Sequence, residues 1–135
     1  MLYLDTCICV EFLRGRLRHG YNMMRESRPE DFQLPAIVVA ELFYGAEHSD
    51  NPEKQLKLVE AFVSAFKIAP FDRSCAQEYG KLRQKLASSG NLIGDRDIMI
   101  AATARANGAT LVTNNAKDFK RIPDFALESW AEIDI

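Results

Sequence analysis

Four acidic side chains stand far apart along the 135-residue chain: Asp5 at the end of an apolar run, Glu41 inside one, Asp97 at the start of one and Asp118 shortly after another. Carboxylates in such company are costly unless a cation, hydrogen bonds or a metal ion meets them. Hard oxygen donors without histidine or thiolate suit Mg²⁺ or Mn²⁺, and Mg²⁺ takes a few carboxylates together with waters and a phosphate. Phosphodiester hydrolysis is the chemistry such a set serves. Two ions roughly 3.5–4 Å apart can activate a water and steady the leaving oxygen of an in-line displacement. Each acid also has a plainer reading. Asp5 and Thr6 could simply cap the next helix, and Glu41 could rest in a salt bridge. Asp95 fits the N-cap of a later helix, with Asp97 in its first turn at the positive end of the dipole.

The elements that must hold these acids follow from periodicity. Leu2-Tyr3-Leu4 is a short apolar run ahead of a helical pattern starting at Cys7, which reads as a buried strand of a parallel sheet. The helix carries Ile8, Val10, Phe12, Leu13 and Leu17 and runs to about Arg16, with a second short helix expected over His19–Arg25. Phe32–Pro35 reads as a strand stopped by proline. Ala36–Ala46 is a helix apolar on nearly every side, a pattern of burial, with Glu41 as its single inner acid. Pro52 opens a helix to Phe66, whose stripe Leu56, Val59, Phe62, Val63 and Phe66 is core or partner surface. Lys67–Pro70 is a third strand, and Asp72 opens a helix over Arg73–Ala87 that turns Tyr79, Leu82 and Leu86 inward. A strongly apolar helix begins near Asp95 and ends at Asn107-Gly108. Ala109–Thr113 is a second clear buried strand, with polar groups at its carboxyl end beside Asp5, and Phe125–Glu128 forms an edge strand before Trp130. This alternation predicts an α/β fold with a largely parallel central sheet in one domain spanning residues 1–135.

Composition narrows the function classes. The chain is 47% hydrophobic and 27% charged with a net charge of −2, which describes a globular protein and neither a disordered tail nor a membrane span. A nucleic-acid partner would need a local basic patch or metal ions offsetting the acids. Arg14, Arg16, Arg18 and His19 form the densest basic cluster, suited to phosphates or to a solvated helix end. Cys7, Cys9 and Cys75 lack the spacing of a zinc site or redox pair, and Cys7 reads as a small buried hydrophobe. Asp5 and Glu11 interrupt the apolar start, which therefore fits neither a signal peptide nor a membrane helix. A cytoplasmic location with no membrane contact is expected.

Four blocks in series, LDTCICVEFLRG, VVAELFYGA, IGDRDIMIAATA and LVTNNAKDFKRIP, resemble the PIN-domain ribonucleases, specifically the VapC toxins of type II toxin–antitoxin pairs. The resemblance runs from Leu4 to Trp130. It implies a three-layer α/β/α sandwich with a mainly parallel five-stranded sheet and a metal-dependent endoribonuclease site. Asp5, Glu41 and Asp97 carry over as metal-binding catalytic acids, with Gly45 matching the glycine of the second block. Asp118 follows as the fourth acid, and Thr6, Thr113 and Asn115 as groups that position metal or water. Arg14, Arg16, Arg96 and Lys117 are expected beside the RNA backbone. Where many relatives have L-D-T-N, Cys7 follows Thr6 here.

The implied activity is cleavage of a structured or loop RNA, tRNA-like or ribosomal, with Mg²⁺ or Mn²⁺. The implied partners are a VapB-type antitoxin that blocks the groove, a second copy in a homodimer, and operator DNA only through the antitoxin. Two other readings remain: a catalytically silent RNA- or partner-binding module, and a Mg²⁺-dependent phosphoryl-transfer domain with an aspartate acceptor.

Overall fold

The computed structural model describes residues 1–15 and 28–130. Arg16 and the helix expected over His19–Arg25 lie outside the described residues. The strands are β1 (Leu2–Leu4), β2 (Phe32–Pro35), β3 (Lys67–Ala69), β4 (Thr110–Thr113) and β5 (Leu127–Ser129). They form one sheet in the order β3-β2-β1-β4-β5. Every pairing is parallel, so the mainly parallel sheet of the sequence reading is parallel throughout. The helices are α1 (Thr6–Leu13), α2 (Ala36–Glu47), α3 (Pro52–Ser64), α4 (Arg73–Ser88), α5 (Asp95–Ala106) and the short α6 (Ala116–Phe119). They complete the α/β/α sandwich: α1, α2 and α3 pack on one another, and α5 lies along α4.

The order of strands decides where a site can form. From β1 the chain steps outward through β2 to β3, then returns to the other side of β1 for β4 and β5. The boundary between β1 and β4 is therefore the point where the winding reverses, and ligands of open α/β sheets bind outside the carboxyl ends of the strands at such a point. Register aligns Leu4 with Val112, and the Asp5 N–H donates to the Val112 carbonyl at 3.0 Å. Asp5 and Thr113 thus leave the sheet side by side.

Leu4, Leu34, Leu111 and Val112 are fully buried at the centre of the sheet, as strands covered on both faces require. α5 is nearly apolar all round, with Ile98, Ile100, Ala101, Ala102, Thr103 and Ala104 buried. Thr103 settles its hydroxyl on the Met99 carbonyl at 2.8 Å, the local bond that lets a β-branched alcohol sit inside a helix. Trp130 closes the core with its ring edge-on to Phe32, centroids 5.9 Å apart.

Several expectations change. α2 buries Val38, Leu42 and Ala46 but exposes Ala40, Tyr44 and Gly45, so it is apolar all round without being buried all round. Tyr44 stacks on His48 instead of entering the core. The stripe on α3 is used inside the molecule: Phe62 lies 5.7 Å from Phe12 and 5.1 Å from Phe66. The edge strand begins at Leu127, not Phe125, and α6 was not anticipated because four residues carry no readable period. Asn51 caps α3 and Asp72 caps α4 through bonds to the Lys54 and Cys75 N–H groups.

Candidate active site

Asp5 is both cap and site residue. Its backbone is extended as an N-cap requires, and Oδ1 accepts the Ile8 N–H at 3.0 Å, satisfying an orphan donor of α1. It is only 3% exposed, yet it faces a cavity of about 330 Å³ lined also by Thr6, Cys7, Glu11, Glu41, Asp97 and Asn115. Four parts of the fold supply these groups: α1 with the residue before it, the middle of α2, the first turn of α5 and the turn between β4 and α6. The Thr6 hydroxyl donates to Glu41 Oε1 at 2.8 Å, joining α1 to α2. Arg96 Nη1 lies 3.6 Å from Glu41 Oε2, joining α5 to the same carboxylate. Glu41 is thus held from both sides.

Asp97 lies in the first turn of α5. Gly94 rather than Asp95 is the N-cap, and it makes no side-chain cap bond. Asp95 instead accepts the Tyr79 hydroxyl at 2.9 Å and pairs with Arg83 at 3.0 Å. The reason is positional: Asp95 already has helical backbone, so its side chain is free to turn toward α4. Asp118, on α6, does not line the cavity, whereas Asn115 does. Thr113 is buried behind Asn115, whose N–H donates to its hydroxyl at 2.9 Å. Arg14 borders a second, larger cavity of about 650 Å³ on the other side of Glu41. Lys117 is exposed on α6.

The acids act on one another. Burial is the main force raising the Asp5 carboxyl above its ordinary range, with Glu41 adding to it, against hydrogen bonds from Cys7, Thr113 and the Ile8 N–H that pull it down. Asp97 is raised by burial first, then by Glu41, Asp5 and Asp118, while Arg96 opposes the rise. Repulsion of this kind favours a proton or a cation between the carboxylates.

The family model for the PIN domain matches residues 2–124. The chain belongs to the PIN-domain family. It is 40% identical over 132 residues to the ribonuclease VapC2 of Rickettsia felis, covering 96% of this chain and 98% of that protein. Similarity to the tRNA(fMet)-specific endonuclease VapC of Shigella flexneri is 34% over 131 residues, covering 95% and 96% of the two. The crystal structure of DNA-bound VapBC from Salmonella typhimurium contains a chain that matches with a TM-score of 0.91 at 34% identity, covering 96% of this chain and 98% of that one.

PIN-domain ribonucleases depend on a divalent metal in general, and the donors here fit one. The cavity gathers carboxylate, amide and hydroxyl oxygens and no histidine, the hard set that Mg²⁺-like ions take. Among the described residues no three His, Cys, Asp or Glu side chains are drawn together tightly enough to enclose an ion, so waters and a substrate phosphate would have to supply the rest of a shell.

This PIN domain also corrects the reading of Cys7 and adds Glu11, which the sequence offered only as a break in the apolar start. Cys7 is not a buried hydrophobe. Its thiol donates to both Asp5 oxygens at 2.9 and 3.0 Å, and burial, followed by the Asp5 charge, pushes its pKa up to about 12, so it stays a donor at neutral pH. Glu11 lines the cavity as a further acid. The signal was present: Cys7 and Glu11 are four residues apart, and that spacing puts both on one face of α1.

Proposed function

We propose that this PIN domain is a metal-dependent endoribonuclease, the toxin of a VapBC-type pair, with Asp5, Glu41, Asp97 and Asp118 as its functional acids and Mg²⁺ or Mn²⁺ as its ion. The observation that carries the reading is the meeting of Asp5, Glu41 and Asp97 on one open cavity at the β1–β4 boundary in a chain of this family. Asp5 and Asp97 would hold the ion. Glu41, steadied by Thr6, completes the set or positions the attacking water, and Asp118 contributes charge from α6 while Asn115 and Thr113 order water at the rim. Bound there, the ion supplies a water acidic enough to attack at neutral pH and offsets charge on the phosphate. The residues bind, orient and balance charge; RNA brings the remaining oxygen ligands through its scissile phosphate.

An acid-lined cavity needs cations around it if a polyanion is to enter. Arg96 stands at the mouth, two-thirds exposed and paired with Glu41, and Lys117 and Arg14 flank it at greater remove. Selectivity for an unpaired loop in a structured RNA, tRNA-like or ribosomal, follows from the way proteins read RNA, by shape and splayed bases. A VapB-type antitoxin would lie in the larger cavity, where Val10, Leu13, Leu42 and Leu58 offer apolar contact beside Glu41. Gly45 supports that use. Among the described residues nothing lies within 4 Å of a Cβ placed there, and glycine in a helix costs roughly 0.5–1 kcal/mol relative to alanine, so its smallness suits close approach by a second chain. A homodimer, contact with operator DNA only through the antitoxin, one domain over residues 1–135 and a cytoplasmic setting complete the proposal. No described helix is long and apolar enough to cross a membrane.

The test is incubation of purified protein with total cellular RNA in Mg²⁺, Mn²⁺ or EDTA, with new 5′ ends mapped by sequencing after ligation that requires a 5′-phosphate. Discrete metal-dependent ends are expected; ends that persist in EDTA, or none with either metal, contradict it. The phosphoryl-acceptor reading has less support, because the family model that matches is that of the PIN domain and the relatives the chain resembles are named ribonucleases and endonucleases.

A further inference from the structure

We propose that Arg83 on α4, held in place by Tyr79 and Asp95, binds a backbone phosphate of the substrate strand next to the scissile one. The inference rests on the ribonuclease reading and extends its binding surface to an element outside the cavity. A third hollow lies on the α5 side of the site, lined by Glu41, Gly94, Asp95, Arg96 and Asp97. One guanidinium lines it and another is paired with an acid of its wall. Arg96 lines it directly and pairs with Glu41, and Arg83 pairs at 3.0 Å with Asp95, two residues before Asp97.

Arg83 is fixed as few exposed arginines are. Nη1 donates to the Tyr79 hydroxyl at 2.7 Å, that hydroxyl donates onward to Asp95 Oδ1 at 2.9 Å, and the guanidinium carbon sits 6.0 Å from the Tyr79 ring centroid. Among the described residues its polar contacts, to Tyr79 and Asp95, use Nη1, which leaves Nε and Nη2 for a phosphate. The side chain is about half exposed. Arginine's planar fork, held before the ligand arrives, loses little freedom on binding phosphate. The arrangement also answers a charge problem, since Asp95 would otherwise add a negative charge where the strand must pass. Paired with Arg83, it becomes the anchor of a cation.

The test uses an Asp97→Asn background, so that RNA stays intact, and a short fluorescein-labelled oligouridylate read by anisotropy over a range of salt in constant Mg²⁺. Adding Arg83→Gln is expected to weaken Kd several-fold and to reduce the slope of log K against log salt by about 0.7, the share of one phosphate contact on a single strand. Arg83→Lys, which keeps the charge, should keep the slope while losing part of the affinity. Tyr79→Phe should weaken binding with the slope retained. Arg105→Gln is the control, at the far end of α5 roughly 15 Å away by helical rise and engaged with the Pro123 carbonyl. In cleavage assays on the otherwise wild-type chain, Arg83→Gln should raise KM with kcat little changed. An unaltered slope and KM overturn the role of Arg83 and leave the nuclease reading intact. If Arg83→Gln fails to fold, loss of the slope contribution in Arg83→Lys overturns it instead. Absence of RNA cleavage by the otherwise wild-type chain with either Mg²⁺ or Mn²⁺ overturns the nuclease reading and, with it, this role of Arg83.

Discussion

At the scale of single residues, the site depends on carboxylates kept in an unfavourable state. Asp97 has its folded pKa raised by burial and by the neighbouring acids, so in the pH window between the ordinary carboxylate value and the raised one the folded protein holds more protons than the unfolded chain. Stability then falls as pH rises through that window. Metal-free wild type should lose thermal stability as pH rises from the ordinary carboxylate value through the raised one, and Asp97→Asn should flatten that fall and melt higher at pH 7; calorimetry with EDTA measures it. Asp5→Asn is the poorer probe because Asp5 also caps α1. Cleavage should follow the opposite course and fail as acid protonates these groups. Thr6 acts through Glu41, to which it donates at 2.8 Å. Thr6→Val should lower kcat by roughly 10-fold or more, the usual cost of removing an outer partner of a metal-site acid, and Thr6→Ser should restore most of it.

At the scale of elements, what positions the acids is ordinary helix chemistry placed at one edge of a sheet. α1 starts at Asp5 because the strand ends there and the carboxylate takes up a free N–H; α5 starts next to Asp97 because Gly94 releases the chain into the helix. Caps elsewhere are separable from function. Asn51→Ala, which removes the bond to the Lys54 N–H at the start of α3, should destabilise the fold by about 1 kcal/mol while leaving RNA cleavage unchanged at permissive temperature. The same logic explains what could be read in advance. β1, β2 and β4 were visible as short apolar runs, and α3 and α4 as stripes at helical spacing with cap residues before them. Glu41 stood out as an acid inside an apolar helix, whereas Asp5 and Asp97 could equally be read as helix-start acids and were singled out by the resemblance of their blocks to the PIN-domain ribonucleases. The short α6 left no period to detect, and the start of β5 depends on pairing with β4 across a long separation in sequence. The partner of Asp95 could not be read either, since Tyr79 and Arg83 sit on another helix and meet it only once α4 and α5 pack together.

At the scale of the whole molecule, a small parallel sheet whose winding reverses between β1 and β4 brings residues from opposite ends of the chain to one cavity. That convergence requires an intact core. Leu34, fully buried on β2, should cost about 2–5 kcal/mol when cut to alanine, and the site should be lost with the fold in a single transition followed by circular dichroism and by RNA cleavage. A net charge of −2 attracts no polyanion by itself, so admitting RNA falls to the ion and the arginines at the rim. Whether Asp97 and its neighbouring acids work through a divalent metal on RNA is tested by comparing wild type with Asp97→Asn, matched for folding by circular dichroism, on one mapped RNA target with Mg²⁺, Mn²⁺ and EDTA. Metal-dependent action of these acids means cleavage by wild type with metal and none by wild type in EDTA or by the variant under any condition. Equal cleavage by both proteins, or cleavage by wild type undiminished in EDTA, would contradict it.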